Sequence, residues 1–585
     1  MITARRLAWP VIVLSLTVVG VFQLAVADES AIGPWGLITA YSWLSLICLS
    51  GLVMAFVITI NFGHHRIAAA ISLVGVLLLL HGAPAIVEPF PRFQVAWLHA
   101  AFVDHLATDG VLATNFDARF AWPGFFAAAA ALLKTTGADS AIVFLQWAPT
   151  ILVGATAVLV AGTTKAIGGS ERTVWMSALV FLLVDWVGQD YFAPQPVAYL
   201  VAAGVLTLTL AAFRHRDPGM LAKRITNRTA NPPKWWTLVD PRADGPDVPL
   251  RLPVRLAVLF ILAAGILAVS ASHQLTPIVL TSALALLAIA GRLRPWPVAM
   301  FALVSFIAWL SYVGEPYWTG HLSDLFNELG KPGQVLESGV EQRVGGSPQH
   351  VIVLRVRMLL SLLVGLMAIA GLVARWRRTG RVNVPAILLA AAPLVVVAGG
   401  SYGGEGFLRI FYFSLLGLVP LIAFLVFPDA HQAGWGRLGL TVVMALLALP
   451  LFLIARFGNE SFERVSSAEV QLAEGVRASV PPGSVLIGLG DMGSMQYQGL
   501  FTWDVLPGVA DLPDPAAVTA TDIDEITAET AGTVFVVATP SQIAAGEQNY
   551  DYPKDWAQQV RRRLVATGDF RVVLQVDDGF VLERI

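Results

Sequence analysis

Long apolar stretches broken by short polar turns dominate the chain, and their lengths predict about thirteen membrane-crossing helices. The runs fall near residues 8–26, 37–60, 67–86, 141–161, 174–187, 197–213, 256–269, 277–289, 298–313, 351–374, 384–399, 408–427 and 438–455. Basic residues collect in alternate turns: His64-His65-Arg66, Lys165 with Arg172, the loop 214–255, Arg292 with Arg294, and Arg375, Arg377, Arg378 and Arg381. Cytoplasmic turns hold the excess of Lys and Arg, so this alternation places the N-terminus inside and the intervening loops outside.

Two stretches break the serpentine. Residues 88–140 are too polar for a span and too apolar for a disordered loop. Phe93, Ala96, Trp97, Ala100 and Val103 recur at helical spacing opposite Gln94, His105 and Asp109, which predicts a helix lying on the outer membrane face. Leu98, Phe102 and Asp104 interrupt that pattern and imply some cover by protein; a second short helix is expected after Pro123. From residue 457 the composition becomes that of a soluble domain, with strands at Val485-Leu486-Ile487 and 534–537, a helix over 556–564 and a hairpin turning at Asp578-Gly579. The expected fold class is a polytopic α-helical membrane protein, with a transmembrane domain over 1–456 and an extracytoplasmic α/β domain over 457–585. The first of these carries an external loop over 88–140, a cytoplasmic loop over 214–255 and an external loop over 314–350.

Composition agrees with a multi-span membrane protein: 56% of the 585 residues are hydrophobic, 13% are charged, and the mean hydropathy is +0.69. The net charge of −2 by itself says nothing about nucleic acid; no basic domain stands apart from the rest, and no nucleic-acid partner is expected. The single cysteine, Cys48, excludes an intrachain disulfide and a cysteine-rich metal site. Arg5-Arg6 before an apolar run, and Ala25-Val26-Ala27 ahead of Asp28, leave signal cleavage open; the length of 7–27 favours an uncleaved first span.

The unusual polar chemistry falls in four outer loops. Glu88, Asp104, Asp190 and Glu405 could meet around one cavity, where paired carboxylates hold a divalent cation or remove a proton from a hydroxyl. The structural alternative for each is a helix cap or a rim ion pair. Arg409 enters a span just after Gly403-Gly404-Glu405-Gly406, and its planar fork suits a lipid phosphate unless it snorkels or pairs with Glu405. Arg355 and Arg357 lie two apart, so only one could face a cavity, and snorkelling is the expectation for both. His99, His105 and His273 show no metal-ligand spacing and read as hydrogen-bonding residues. Residues 488–493 match G-x-G-x-x-G, but an external domain would not meet a nicotinamide dinucleotide and no clear helix is expected to follow, so a tight strand-ending turn is the reading.

Glu88-Pro89-Phe90, the helix after it and Asn115-Phe116-Asp117-Ala118-Arg119-Phe120-Ala121-Trp122-Pro123-Gly124 resemble the first external loop of GT-C glycosyltransferases. The architecture is most similar to the catalytic subunit of oligosaccharyltransferase, with a second acidic loop at Asp190, a long external loop, an arginine entering a late span at Arg409 and an external C-terminal domain. The chain differs in lacking a Trp-Trp-Asp-Tyr-Gly acceptor motif, in having Glu as its first acidic residue, and in setting Asp185 five residues before Asp190. The resemblance implies transfer of a sugar from a polyprenyl-phosphate donor to a glycan, lipid or protein acceptor outside the plasma membrane. It implies Glu88 and Asp190 as catalytic residues or ligands of a divalent cation (Mg or Mn), and Arg409, Arg92, Gln189, Tyr191, Gln195, His273, Glu405 and Asp104 as donor- or substrate-binding. The competing readings are a transporter or flippase of lipid-linked saccharides and a noncatalytic cell-envelope scaffold. Outer-face clustering without an internal repeat favours the enzyme over the transporter.

Overall fold

A computed structural model describes residues 2–62, 65–114, 116–213, 250–315, 345–399, 406–506, 509 and 512–585. Most of the loops 214–255 and 314–350, together with Glu405, lie outside the described residues.

Each of the thirteen apolar runs contains a helix. These are α1 (Ile2–Ala25), α2 (Trp43–Phe62), α3 (Arg66–Leu80), α6 (Ala148–Ala166), α7 (Glu171–Val184), α8 (Pro194–Phe213), α9 (Leu252–Ser272), α10 (Thr276–Ile289), α11 (Pro297–Tyr312), α12 (Pro348–Thr379), α13 (Val384–Ala391), α14 (Gly406–Val426) and α15 (Trp435–Phe457). Among the described residues, eight of them are long and apolar enough to cross a membrane. The others, α3, α7, α10, α11 and α13, are apolar but have only 8 to 16 residues, so length by itself does not establish the full count of thirteen crossings. The most enclosed of the eight is α14, with 78% of its apolar window buried. It packs between α12 and α13, and small residues let the backbones close up: a Cβ at Gly371 would collide with the Leu421 carbonyl, and one at Gly417 with Ala386 and Ala390.

Between α3 and α6 the chain leaves the bundle and forms α4 (Gln94–Asp109) and α5 (Gly124–Thr136). The expected helix is present, but it does not lie on a lipid surface. Ala96, Trp97, Ala100 and Val103 are buried, and so are Leu98 and Phe102, because α5 covers one side and the C-terminal domain another. Gln94, expected on the polar face, is itself buried between α4 and that domain.

Beyond α15 lie α16 (Glu460–Glu463), α17 (Ser467–Ser479), α18 (Gly493–Gln498), α19 (Pro540–Asn549) and α20 (Trp556–Ala566). They flank a sheet of order β2-β1-β3-β5-β4, formed by β1 (Val485–Gly488), β2 (Asp504–Leu506), β3 (Val534–Ala538), β4 (Phe570–Val576) and β5 (Gly579–Arg584). The first three strands are parallel, and the β4–β5 hairpin joins β3 antiparallel. Val534, Val536 and Ala538 of β3 enter one core with Trp556 and Leu564, while Phe535 and Val537 enter another with Leu472 and Val476. Period-2 side chains feeding two covered faces explain why this strand is apolar throughout. One expectation fails here: a short helix, α18, does follow the glycine-rich stretch 488–493.

The domain is fastened to α4 by a buried carboxyl. Glu469 of α17 accepts hydrogen bonds from Gln94, from the Ser494 hydroxyl at 2.9 Å and from the Ser541 backbone N–H at 3.2 Å. Gln94 Oε1 in turn accepts from the Ser494 N–H at 2.7 Å. Burial raises the Glu469 carboxyl from 4.5 to about 7, with the serine bonds pulling the other way. Since the folded-state value lies above the unfolded one, the contribution of this group is fully present below about pH 4.5 and is lost as pH rises through about 7. The thermal midpoint of the full chain in detergent should therefore decline across that interval, and Glu469→Gln, which imitates the neutral acid, should flatten the decline. An unaltered slope in the variant would assign the effect elsewhere.

Candidate active site

The first external loop leaves α3 through a short helix, Ala83–Val87, whose end is capped by Glu88 in extended conformation. The Glu88 carbonyl accepts a hydrogen bond from Gln146 Nε2 at 2.8 Å, which holds the loop against the start of α6. From there the side chain turns inward and is 4% exposed. It meets Glu460, fully buried at the start of α16; neither Glu88 oxygen has a hydrogen-bond donor from another residue type among the described residues, whereas Glu460 also has Arg92 against it. Two ionised carboxylates would repel here, whereas one proton shared between them converts the contact into a carboxyl–carboxylate hydrogen bond. Burial first, and Glu460 second, push the Glu88 carboxyl well above the usual carboxylate range, with Arg92 opposing them.

Arginines surround this couple. Arg92 Nη2 lies 2.7 Å from Glu460 Oε2 and 2.5 Å from Glu463 Oε2, and its guanidinium sits 4.2 Å from the centre of the Phe93 ring. Arg357 of α12 reaches to 3.6 Å from Glu463 and donates to the Ala455 carbonyl at 2.7 Å. It therefore turns into the protein instead of snorkelling; Arg355, two residues away, is exposed. At the end of α15, Arg456 places Nη2 2.7 Å from both oxygens of Asp190 and donates from Nη1 to the Val187 carbonyl at 2.9 Å. Both side chains of that pair are 1% exposed. Asp185 is fully buried nearby, with neither oxygen hydrogen-bonded among the described residues. Five carboxyl groups (Glu88, Asp185, Asp190, Glu460, Glu463) thus face three guanidiniums (Arg92, Arg357, Arg456). Full ionisation would leave a net negative charge out of water, so the cluster favours holding protons.

A cavity of about 10 Å³ adjoins the cluster, lined by His81, Glu88, Arg92, Gln146, Tyr191 and Arg456 among others. It has room for roughly one water molecule. Tyr191 is half-buried, its ring 5.1 Å from Phe93 and stacked 6.2 Å from His99.

The sequence-derived site residues divide accordingly. Glu88, Arg92, Asp190 and Tyr191 come together. Asp190 does so as the partner of Arg456 and not as an unpaired base, since both its oxygens are taken. Asp104 belongs elsewhere: it accepts from the Ser140 hydroxyl and the Ala141 N–H, each at 2.7 Å, and so caps the turn before the short helix Ile142–Leu145. Gln189 and Gln195 remain in the Asp190 bend but are not among the residues lining the cavity; Gln195 is buried, with Nε2 lacking a partner among the described residues. His273 and Arg409 form a second neighbourhood, where burial, then Arg409, lower the imidazole to about 3. Glu405 lies outside the described residues. Arg456, Glu460 and Glu463 were missed by the sequence reading. The signal available in the sequence is a run of charges at helical spacing, Arg456, Glu460 and Glu463, where the last span passes into the soluble domain.

A divalent cation fits this arrangement poorly. Asp190 is neutralised by Arg456, Glu88 lies against a second carboxyl and Arg92, and the described residues contain no group of three His, Cys, Asp or Glu able to hold a metal.

No protein-family model matches the chain, and no curated protein matches it. Among solved structures it is similar to the archaeal oligosaccharyltransferase AglB from Archaeoglobus fulgidus, in complex with an inhibitory peptide and a dolichol-phosphate. That match has 11% identity and a TM-score of 0.47, over 88% of this chain and 72% of that one. It is also similar to ArnT from Cupriavidus metallidurans bound to undecaprenyl phosphate, with 13% identity and a TM-score of 0.46, over 88% of this chain and 98% of that one.

Removing one partner of the Arg456–Asp190 pair strands a buried charge. Arg456→Met should cost about 3–5 kcal/mol in unfolding free energy. The double variant with Asp190→Asn should recover much of that loss, and strictly additive losses would mean that the two groups are not coupled.

Proposed function

We propose that this protein is a GT-C-type membrane glycosyltransferase that moves a sugar from a polyprenyl-phosphate-linked donor to a glycan, lipid or protein acceptor outside the membrane. The observation that carries the reading is the proton-sharing couple Glu88–Glu460 beside a cavity, with Arg92 against it, at the end of the bundle that bears the C-terminal domain. The basic residues Arg375, Arg377, Arg378 and Arg381 lie at or just beyond the far end of α12, away from the site. In this reading that end is cytoplasmic, the N-terminus lies with it, and the domain faces the exterior of the plasma membrane.

In the reaction, an acceptor hydroxyl oxygen forms a bond to the anomeric carbon of the sugar while the bond from that carbon to the donor phosphate oxygen breaks. The carboxylate of the Glu88–Glu460 couple takes the hydroxyl proton, a role suited to an acid whose pKa is raised towards neutrality. The departing phosphate gains negative charge, which a guanidinium of the donor-binding region would stabilise. Arg409, beside His273 at the start of α14, is assigned to the donor phosphate. Arg92 and Arg456 hold the carboxyl groups in place, and no step requires a cation.

Transfer from labelled polyprenyl-phosphate sugars by the protein in liposomes tests this reading. Glu88→Gln should lower the rate by about 10²–10⁴-fold. The parent rate should rise with pH as the doubly protonated couple gives up its first proton and a carboxylate becomes available as base. Undiminished transfer by Glu88→Gln would sink the mechanism.

A further inference from the structure

The C-terminal domain holds a second cavity, about 380 Å³, at the ends of β1 and β3. Its position follows from topology. The parallel strands β2 and β3 lie on opposite sides of β1, so the chain leaving β1 and the chain leaving β3 diverge and open a crevice beyond the strand ends. The turn Leu489-Gly490-Asp491 forms one wall and the start of α19 another. Gln542 Nε2 ties these walls together, donating to the Gly490 and Asp491 carbonyls at 3.0 Å each. The cavity's size lies within the range of small-molecule sites.

The chemistry of the lining selects among ligands. Glu463 and Asp491 contribute carboxyl groups, and the described lining residues include no Lys or Arg. A phosphate would find no Lys or Arg among these described lining residues to pair with, so the glycine-rich turn is not a dinucleotide site here. Of the polar lining, Gln94, Ser541 and Gln542 are engaged in internal hydrogen bonds, which leaves Asp491 and Asn549 to meet a ligand. An aromatic group completes the cavity: Tyr550 stacks on Tyr552 at 5.4 Å and 17°, and Tyr552 lies 5.2 Å from Trp556. Trp556 is fixed by donating to the Ile543 carbonyl, and Tyr552 by donating to Asp514, while Tyr550 is 60% exposed. Aromatic faces with carboxyl and amide groups, and no cation, match the C–H faces and hydroxyl edges of an uncharged sugar. The cavity also shares Arg92's surroundings, since Phe93, Gln94 and Glu463 line it and Glu463 is the ion partner of Arg92.

We infer that this crevice binds an uncharged saccharide chain, and that this chain is the acceptor; the acceptor role, though not the binding, rests on the transferase reading above. Tyr550 and Asn549 grip the chain at the outer end of the crevice, and its inner end lies against the Phe93–Glu463 wall.

Calorimetric titration of the full-length protein in detergent with maltotetraose, mannotetraose, galactotetraose and arabinotetraose tests the inference, with pyrophosphate and NAD as anionic comparators. At least one tetrasaccharide should bind, and Tyr550→Ala should weaken it about tenfold, the loss of one aromatic stacking contact. Asn549→Ala should weaken it further when combined. Glu88→Gln should bind the same saccharide as the parent does, so failure of transfer and failure of this site are read separately. Absence of binding by all four saccharides, unchanged affinity in both crevice variants, or preferential binding of pyrophosphate or NAD would each overturn it.

Discussion

Burying charge next to a lipid-facing bundle is costly, and the cost is offset here only by mutual pairing. Arg92, Arg357 and Arg456 come from the first external loop, α12 and the end of α15; the acids they meet come from two loops and α16. The most deeply buried of these groups, Arg92, Glu460, Asp190 and Arg456, depend on their partners, because an isolated buried ion is far less stable than a paired one. The cluster therefore fixes where four distant parts of the chain must meet. It also fixes the C-terminal domain, since α15 runs through Arg456 directly into α16 and the domain follows.

The same requirement gives the site its chemical character. An excess of carboxyl groups over guanidiniums keeps protons on the acids, and the Glu88–Glu460 contact is where that proton is most directly placed. A carboxyl in water would be a weak base at neutral pH. Burial makes it a stronger one, and the arginines keep it from becoming permanently neutral. Asp190, by contrast, is committed to Arg456 and serves to hold the cavity wall.

The docking of α4 under the domain shows how context overrides an amphipathic pattern. A helix with polar and apolar faces predicts a place on lipid, yet its polar end, Gln94, is the contact point for Glu469, Ser494 and Ser541. The apolar interruptions at Leu98 and Phe102 were the indication that protein would cover it on more than one side. Likewise, the glycine-rich turn after β1 matches a phosphate-binding pattern, but acidic and aromatic residues fold around it from α16, the stretch before α20 and the start of α20.

The sequence by itself determined the apolar helices, the change to an α/β domain near residue 457, most of its strands, and the presence of ionisable groups at Glu88 and the Asp190 bend in an apolar setting. These are local properties: run length, period and an ionisable group in an apolar setting can be read within a few residues. Only the tertiary structure decided that Asp190 is matched to Arg456, that Glu88 faces Glu460, and that Asp104 is a cap. Partners separated by 266 residues, as Asp190 and Arg456 are, leave no mark in either local pattern. Their pairing is set by how helices of fixed length stack and by which ends they bring together, and charge alone does not say which acid meets which base.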